Sequence, residues 1–196
     1  LMLSQSLYWT KIQAVQGISI SREGWFWKTR QDWLTETSLS RHEQDTARAR
    51  LSRHAFWSER RAGMPARLWF RIDLGALAHE IDKDFSGTWD WHDEQALMRL
   101  LGRPLLVYRA LADLTGSVTS ALLLSRLIMD ERVNLRGAGQ QAGGGWYRYD
   151  RQRLLAGTGL TRAEFYHARK TLRASGFLAE RCVGLPPRWE WRLDLD

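Results

Sequence analysis

The sequence predicts an α+β fold, mainly α, laid down twice along one chain of 196 residues. Three observations predict it. The chain repeats internally, each copy places a capped helix after a short helix and a turn, and each copy closes on two β-prone segments. Shifted by 121 residues, the sequence matches itself without a gap from Leu3 onward. Gly24-Trp25-Phe26 falls on Gly145-Trp146-Tyr147, Arg30-Gln31 on Arg151-Gln152, and Ala47-Arg48 on Ala168-Arg169. Glu59-Arg60 meets Glu180-Arg181, and Gly63-x-Pro65-x-Arg67 meets Gly184-x-Pro186-x-Arg188. From Gly24 to Leu74, 21 of 51 aligned positions are identical. Chance gives only a few, so the chain is a duplication. An apolar residue kept in both copies points to core. An Arg kept in both on a polar face needs another reason.

The elements follow in order. Val118, Ala121, Leu122, Leu124, Leu127 and Ile128 recur at helical spacing, which predicts a helix over Ser117–Arg132, with Met2–Val15 as its counterpart. A short strand follows at Trp25–Trp27 and at Trp146–Tyr149. Helices over Arg30–Thr37 and Arg151–Thr158 end in turns at Ser38-Leu39 and Gly159-Leu160. Ser40-x-x-Glu43 and Thr161-x-x-Glu164 are then capping boxes, whose hydroxyl and carboxylate satisfy the first N–H groups of a new helix. Helix, short turn and capped helix form a helix-turn-helix. The capped helices run to about His54 and Ser175, with Ala47, Leu51, Ala168 and Leu172 facing inward. Strands over Phe56–Arg61 and Arg67–Ile72, then Phe177–Cys182 and Arg188–Leu193, make a hairpin in each copy. The order α–β–α–α–β–β is that of a winged helix. The expected organisation is therefore two tandem winged helix-turn-helix domains, residues 1–74 and 104–196, joined by an acidic helical connector at 75–103. The first copy is expected to lack the lead-in that Pro104–Gly116 supplies to the second.

Charge follows the same division. Residues 1–72 carry 12 Lys+Arg against 6 Asp+Glu, residues 73–103 carry 3 against 7, and residues 104–196 carry 14 against 9. Two basic lobes around an acidic segment suit a polyanion met by each lobe. Cys182 is the only cysteine, which excludes an internal disulfide and fits a reducing cytoplasm. The apolar runs are too short to span a bilayer, and no secretion signal is visible. The scattered His residues make no zinc spacing, and Gly137–Gly145 lacks the Lys-Ser/Thr of a phosphate loop, reading instead as a flexible tip. Asp82, Asp84, Asp90, Asp93 and Glu94 look solvated rather than metal-binding. An enzyme is not expected, and neither is a cofactor or a metal.

Double-stranded DNA is the expected partner. A recognition helix presents polar side chains near its N-terminus to base edges in the major groove. The candidates are Arg41, His42, Asp45, Arg48 and Ser52 in the first copy. In the second they are Arg162, Ala163, Tyr166, Arg169, Lys170 and Arg173. The competing reading is a solvated helix face. On the hairpins, Arg60, Arg61, Arg67, Arg181 and Arg188 suit phosphates or a narrow minor groove, although Arg67 and Arg188 could instead pair with Glu59 and Glu180. Lys28, Arg30 and Arg151 precede or open a helix, where they suit phosphate contacts that set register. The eleven Trp residues read as core rather than as stacking platforms for single strands, because Trp25 and Trp146 are equivalent. Trp89 and Trp91 have no counterpart and suit a partner surface or packing between lobes.

Leu3-Ser4-Gln5-Ser6-Leu7-Tyr8-Trp9, Gly24–Thr29, Leu39–Gln44 and Gly63–Leu68 together resemble winged helix-turn-helix proteins of phages, plasmids and integrative elements. The resemblance covers most of the first copy and, more loosely, the second, which departs where Gln44 becomes Phe165 and Lys28-Thr29 becomes Tyr149-Asp150. It implies a sequence-specific DNA-binding protein in replication initiation or transcriptional regulation of a mobile element, as monomer or homodimer. The alternative is an interaction module that recruits replication or partition proteins through the same surfaces.

Overall fold

Each copy of the repeat opens on a helix that buries one stripe at helical spacing. In the computed structural model, which describes residues 1–16, 23–84, 89–102, 105–136, 141–142, 145–148 and 150–195, the first such helix is α1 (Met2–Gln16), and Met2, Ser6 and Thr10 form its buried stripe. The chain divides into two compact units, Leu1–Pro104 and Leu105–Asp196.

The first unit continues through β1 (Phe26–Trp27), α2 (Arg30–Thr37), α3 (Arg41–Leu51), β2 (Trp57–Ala62), β3 (Arg67–Ile72), α4 (Leu74–Ile81) and α5 (Glu94–Leu101). The second contains α6 (Arg109–Thr115), α7 (Val118–Arg136), β4 (Gln141–Ala142), β5 (Trp146–Arg148), α8 (Arg151–Thr158), α9 (Arg162–Ala174), β6 (Leu178–Val183) and β7 (Arg188–Leu193). The fold is α+β and mainly α. Most of the Gly137–Gly145 tip, and Tyr149 of the expected strand, lie outside the described residues.

Local chemistry sets the helix boundaries. Ser40 and Thr161 each accept from the N–H three residues on, and Glu43 and Glu164 accept in return from the cap backbone, so both expected capping boxes are present. A third box, Thr29 with Asp32, starts α2, while Asp150 caps α8 by accepting from the N–H groups of Gln152 and Arg153. The α2–α3 and α8–α9 turns pass through left-handed residues, Ser38 at φ 56° and Gly159 at φ 67°. Glycine adopts this conformation at no steric cost, whereas a serine accepts roughly 1 kcal/mol. Helix α3 ends at Leu51 rather than near His54. Beyond it, the N–H groups of Arg53 and His54 donate to Arg50 and Leu51 in tight turns (3.2 and 3.0 Å).

Strand register repeats with the sequence. In the first sheet, of order β1-β3-β2, Phe26 pairs with Phe70 and Trp57 with Ile72, all antiparallel. In the second, of order β4-β5-β7-β6, the residues 121 further on pair likewise: Tyr147 with Trp191 and Leu178 with Leu193. A one-residue slip would turn every core side chain outward, so the aromatic faces fix this register.

Those faces are the cores. Phe26, Trp33, Phe56, Trp57, Phe70 and Ile72 form the first, with Trp33 edge-on to Phe70 at 5.5 Å between ring centroids. Leu123, Leu124, Leu154, Phe165, Ala168, Leu172 and Trp191 form the second. The Ile72 N–H donates to Thr10 Oγ1 (3.2 Å), tying β3 to α1. The acidic segment 75–103, expected as a connector, carries α4 and α5 within the first unit. Leu77 of α4 joins the first core, and Glu94 at the start of α5 pairs with Lys11 of α1 (2.8 Å). Among the described residues no helix is long and apolar enough to cross a membrane.

Trp33 is 2% exposed, and its truncation to Ala is expected to cost about 3–5 kcal/mol in the first unit. Urea denaturation followed by far-UV circular dichroism checks this. An unchanged midpoint would show that the aromatic cluster does not hold the unit together.

Candidate functional site

The same groove occurs in both units, at matched positions. In the first it is about 530 Å³ and runs between the start of α2, helix α3 and the hairpin, with Arg30, Arg48, Arg61 and Arg67 on its walls. In the second it is about 440 Å³, with Arg148, Arg151, Arg169 and Arg188 on its walls. The guanidinium groups that the hairpin glutamates do not take, Arg30, Arg61 and Arg67 in the first and Arg148, Arg151 and Arg188 in the second, make a site for anionic oxygens.

One ion pair per unit builds the inner wall. Arg48 of α3 donates through Nε and Nη2 to both carboxylate oxygens of Glu59 on β2 (3.1 and 2.6 Å). Arg169 of α9 does the same to Glu180 on β6, with the Nη2 bond at 3.0 Å. A second donor completes each carboxylate. Trp57 supplies its indole N–H to Glu59 (2.9 Å), whereas Arg173 supplies its guanidinium to Glu180 (3.1 Å). The Glu180 side chain is only 1% exposed, and these two arginines offset the cost of burying it. Burial pushes the Glu59 carboxyl up, but the Arg48 and Trp57 hydrogen bonds and the Arg48 charge outweigh it and hold the group below its ordinary value.

Cation–π contacts order the outer arginines. Trp25 lies between Arg60 (4.0 Å to the ring centroid) and Arg71 (5.2 Å). Trp146 lies likewise between Arg181 (4.3 Å) and Arg192 (5.2 Å). Arg67 sits over Trp27 at 4.0 Å. Stacking occupies the guanidinium face, while the Arg181 edge goes to Glu190 (2.8 Å).

The expected contact residues fall into distinct groups. Arg41, His42, Arg162, Tyr166 and Lys170 are exposed on the outer faces of α3 and α9, as a surface for a ligand requires. Tyr166 is 66% exposed. Arg61 and Arg188 are exposed on the hairpins, and Arg151 at the start of α8. Arg30 and Asp45 pair with each other at 2.9 Å on the surface. Arg30's hydrogen bond and charge hold the Asp45 carboxyl below its usual range, but an exposed pair of this kind is weak enough to exchange partners. Arg48, Arg169 and Arg173 are instead committed to the glutamates of the hairpin. Arg60 is stacked on Trp25, and Arg181 is tied to Glu190 (2.7 Å) besides Trp146. Glu59 and Glu180 thus face helix arginines, not Arg67 and Arg188 across the hairpin. Lys28 is turned inward: its side chain is 11% exposed, its ammonium bonds Glu36 and it lies 3.8 Å over Trp9. The preceding strand carries it onto α1 and α2, where Glu36 takes the charge expected to meet phosphate.

Sequence reasoning missed Arg148, which lines the second groove, and the stacked Arg71 and Arg192. The repeat held a signal for the latter, because Arg71/Arg192 and Trp25/Trp146 are identical in both copies. Arg148 stands where the first copy has Trp27, so no such signal existed. The aromatic residues divide as well. Trp25, Trp33, Trp57 and Trp191 are buried, but Trp27 and Trp189 are exposed beside the grooves. Trp89 and Trp91 are half-buried.

No family model matches the chain, and no curated protein matches it. A solved structure described as "N-Terminal domain of DNA binding protein" is similar at a TM-score of 0.35 and 14% identity, over 55% of this chain and 84% of that one. A likeness this distant constrains neither fold nor chemistry.

The Glu59 pair carries a pH dependence whose sign is fixed. Its folded pKa lies below the ordinary value of 4.5, so its stabilisation is complete above that value and disappears as pH falls through the folded one. Glu59→Gln is expected to flatten the acid limb of the first unit's stability curve and leave the second unit's unchanged. Denaturant titrations over about pH 3–7 check this. An acid limb identical to the parent's would show that the pair contributes nothing.

Proposed function

We propose that the chain is a sequence-specific, non-enzymatic protein that binds double-stranded DNA through two tandem winged helix-turn-helix domains, residues 1–74 and 104–196. The observation that carries this reading is the repeated basic groove, flanked in each unit by an exposed arginine one residue into a capped helix. Arg41 and Arg162 occupy that position, where a helix inserted in a major groove meets base edges. Arg61 and Arg188 lie on the hairpins, where phosphate is the nearer target. The exposed residues of α3 and α9 are polar or charged, apart from small alanines and Tyr166, which favours a polyanion over an apolar protein surface. The role in replication initiation or transcriptional control of a mobile element rests on the resemblance of Leu3–Trp9, Gly24–Thr29, Leu39–Gln44 and Gly63–Leu68 to proteins of such elements.

Two measurements test the reading. Duplex affinity should fall steeply with salt, with a slope near −5 in log–log form if about six phosphates are neutralised at roughly 0.9 each. A slope near zero, or no duplex binding at low salt, would overturn DNA as the partner.

Substitutions should separate base reading from phosphate binding. On a site selected from random duplexes, Arg41→Ala and Arg162→Ala are each expected to cost about 1–3 kcal/mol and to relax preference at one or two bases. Arg61→Ala and Arg188→Ala should weaken all sequences alike and reduce the salt slope by about one. If Arg41→Ala and Arg162→Ala leave both affinity and preference intact in a folded chain, the capped helices do not read DNA, and an interaction module becomes the better account.

A further inference from the structure

The two cores share a frame but not a filling. In the first unit, Trp9, Trp33 and Trp57 stand at positions whose equivalents, 121 residues on, are Asp130, Leu154 and Leu178. These three smaller residues line a cavity of about 360 Å³ in the second unit, with Tyr147 and Trp191 as its aromatic walls. That volume lies within the range of small-molecule sites. Leucines and two aromatic rings form one side of the lining, and Asp130, Glu131, Asp150, Arg148 and Arg153 give it charge, a mixture that suits a ring carrying a polar group.

Its polar lining has also changed. Thr10, which accepts the Ile72 N–H in the first unit (3.2 Å), is replaced by Glu131 on the cavity wall. Asp130 is committed to Arg126 (3.0 Å), and Asp150 caps α8. Glu131 is partly buried and has no ion pair among the described residues, and burial pushes its carboxyl above the ordinary range. A cationic group beside it would offset that desolvation. Arg148 and Arg153 also line the cavity, but both are exposed to solvent, where their repulsion is screened.

We propose that the cavity walled by Leu154, Leu178, Tyr147 and Trp191, with Glu131 at its edge, binds a small flat aromatic amine. The guest's ring takes the space that tryptophan side chains fill in the first unit, and its ammonium meets Glu131. The cavity shares Arg148 and Asp150 with the second groove, but Leu154, Leu178 and Glu131 lie outside the proposed DNA contacts, and the test contains no DNA.

The test is calorimetric titration of the full chain with indole, tryptamine and indole-3-acetate, three probes that share a ring and differ in charge. Tryptamine should bind saturably, about tenfold or more tighter than indole-3-acetate, with indole between them. Leu154→Trp, which restores the first unit's residue, should abolish binding of all three. Leu178→Trp provides the same test from the opposite wall if the first variant does not fold. Glu131→Gln should bring tryptamine to the level of indole and leave indole unchanged. The proposal is overturned if tryptamine does not bind, if indole-3-acetate binds as well as tryptamine, or if a folded Trp variant binds like the parent.

Discussion

The arrangement of each groove depends on one partly buried charge pair between the capped helix and the first strand of the hairpin. Arg48 with Glu59, and Arg169 with Glu180, hold helix and strand together through forked, two-bond contacts. A fork-to-fork pair fixes orientation as well as distance. Around it, α3 offers the core mainly Ala47 and Leu51, side chains that define a contact but not an angle. A half-buried carboxylate facing apolar neighbours has few alternatives, because separating it from its arginine strands a charge. The pair therefore selects one setting of hairpin against helix, and the groove is the space which that setting leaves.

The arginines that line the outside are ordered by a different force. Trp25 and Trp146 each hold two arginines, one from either strand of the hairpin. Ordering a long side chain costs conformational entropy, and ordering it in advance lowers the cost of binding. Trp25, which is buried, and Trp146, which is half-buried, thus pre-arrange positive charge from the hairpin besides packing beside it.

What could be read from the sequence was what depends on near neighbours. Ser40 with Glu43 and Thr161 with Glu164 lie three residues apart, so their boxes are visible in any window. Gly63-x-Pro65 and Gly184-x-Pro186 mark the hairpin turns for the same reason. Roles set by the third dimension were not legible. Arg41 and Arg48 are the same residue type on the same helix, yet one is exposed and the other meets a glutamate eleven positions on, in the next element. Lys28 looked like a surface cation because its local sequence is polar, but Glu36 and Trp9 enclose it from two other helices. The end of α3 at Leu51 escaped notice because Ser52, Arg53 and His54 carry no breaker. The duplication did hold part of the answer, since Arg48/Glu59 and Arg169/Glu180 are kept as pairs in both copies.

Where the copies differ, the difference falls on surfaces and fillings rather than on the frame. Gln44, which donates to the Arg30 and Leu39 carbonyls across the helix turn, becomes Phe165, which stacks near Trp191 instead. Two chemistries secure one turn. Asp45, paired with Arg30, becomes the exposed Tyr166 beside Arg151 and Arg162. The first helix then presents an acceptor-only carboxylate where the second presents a phenol that donates as well as accepts, so the second helix can face edges that the first cannot. Under the proposed function, a carboxylate at this position accepts from a cytosine amino group, whereas a phenol can donate or accept. One chain carrying both helices would read two unlike half-sites, an asymmetry that a symmetric dimer of either unit alone could not supply.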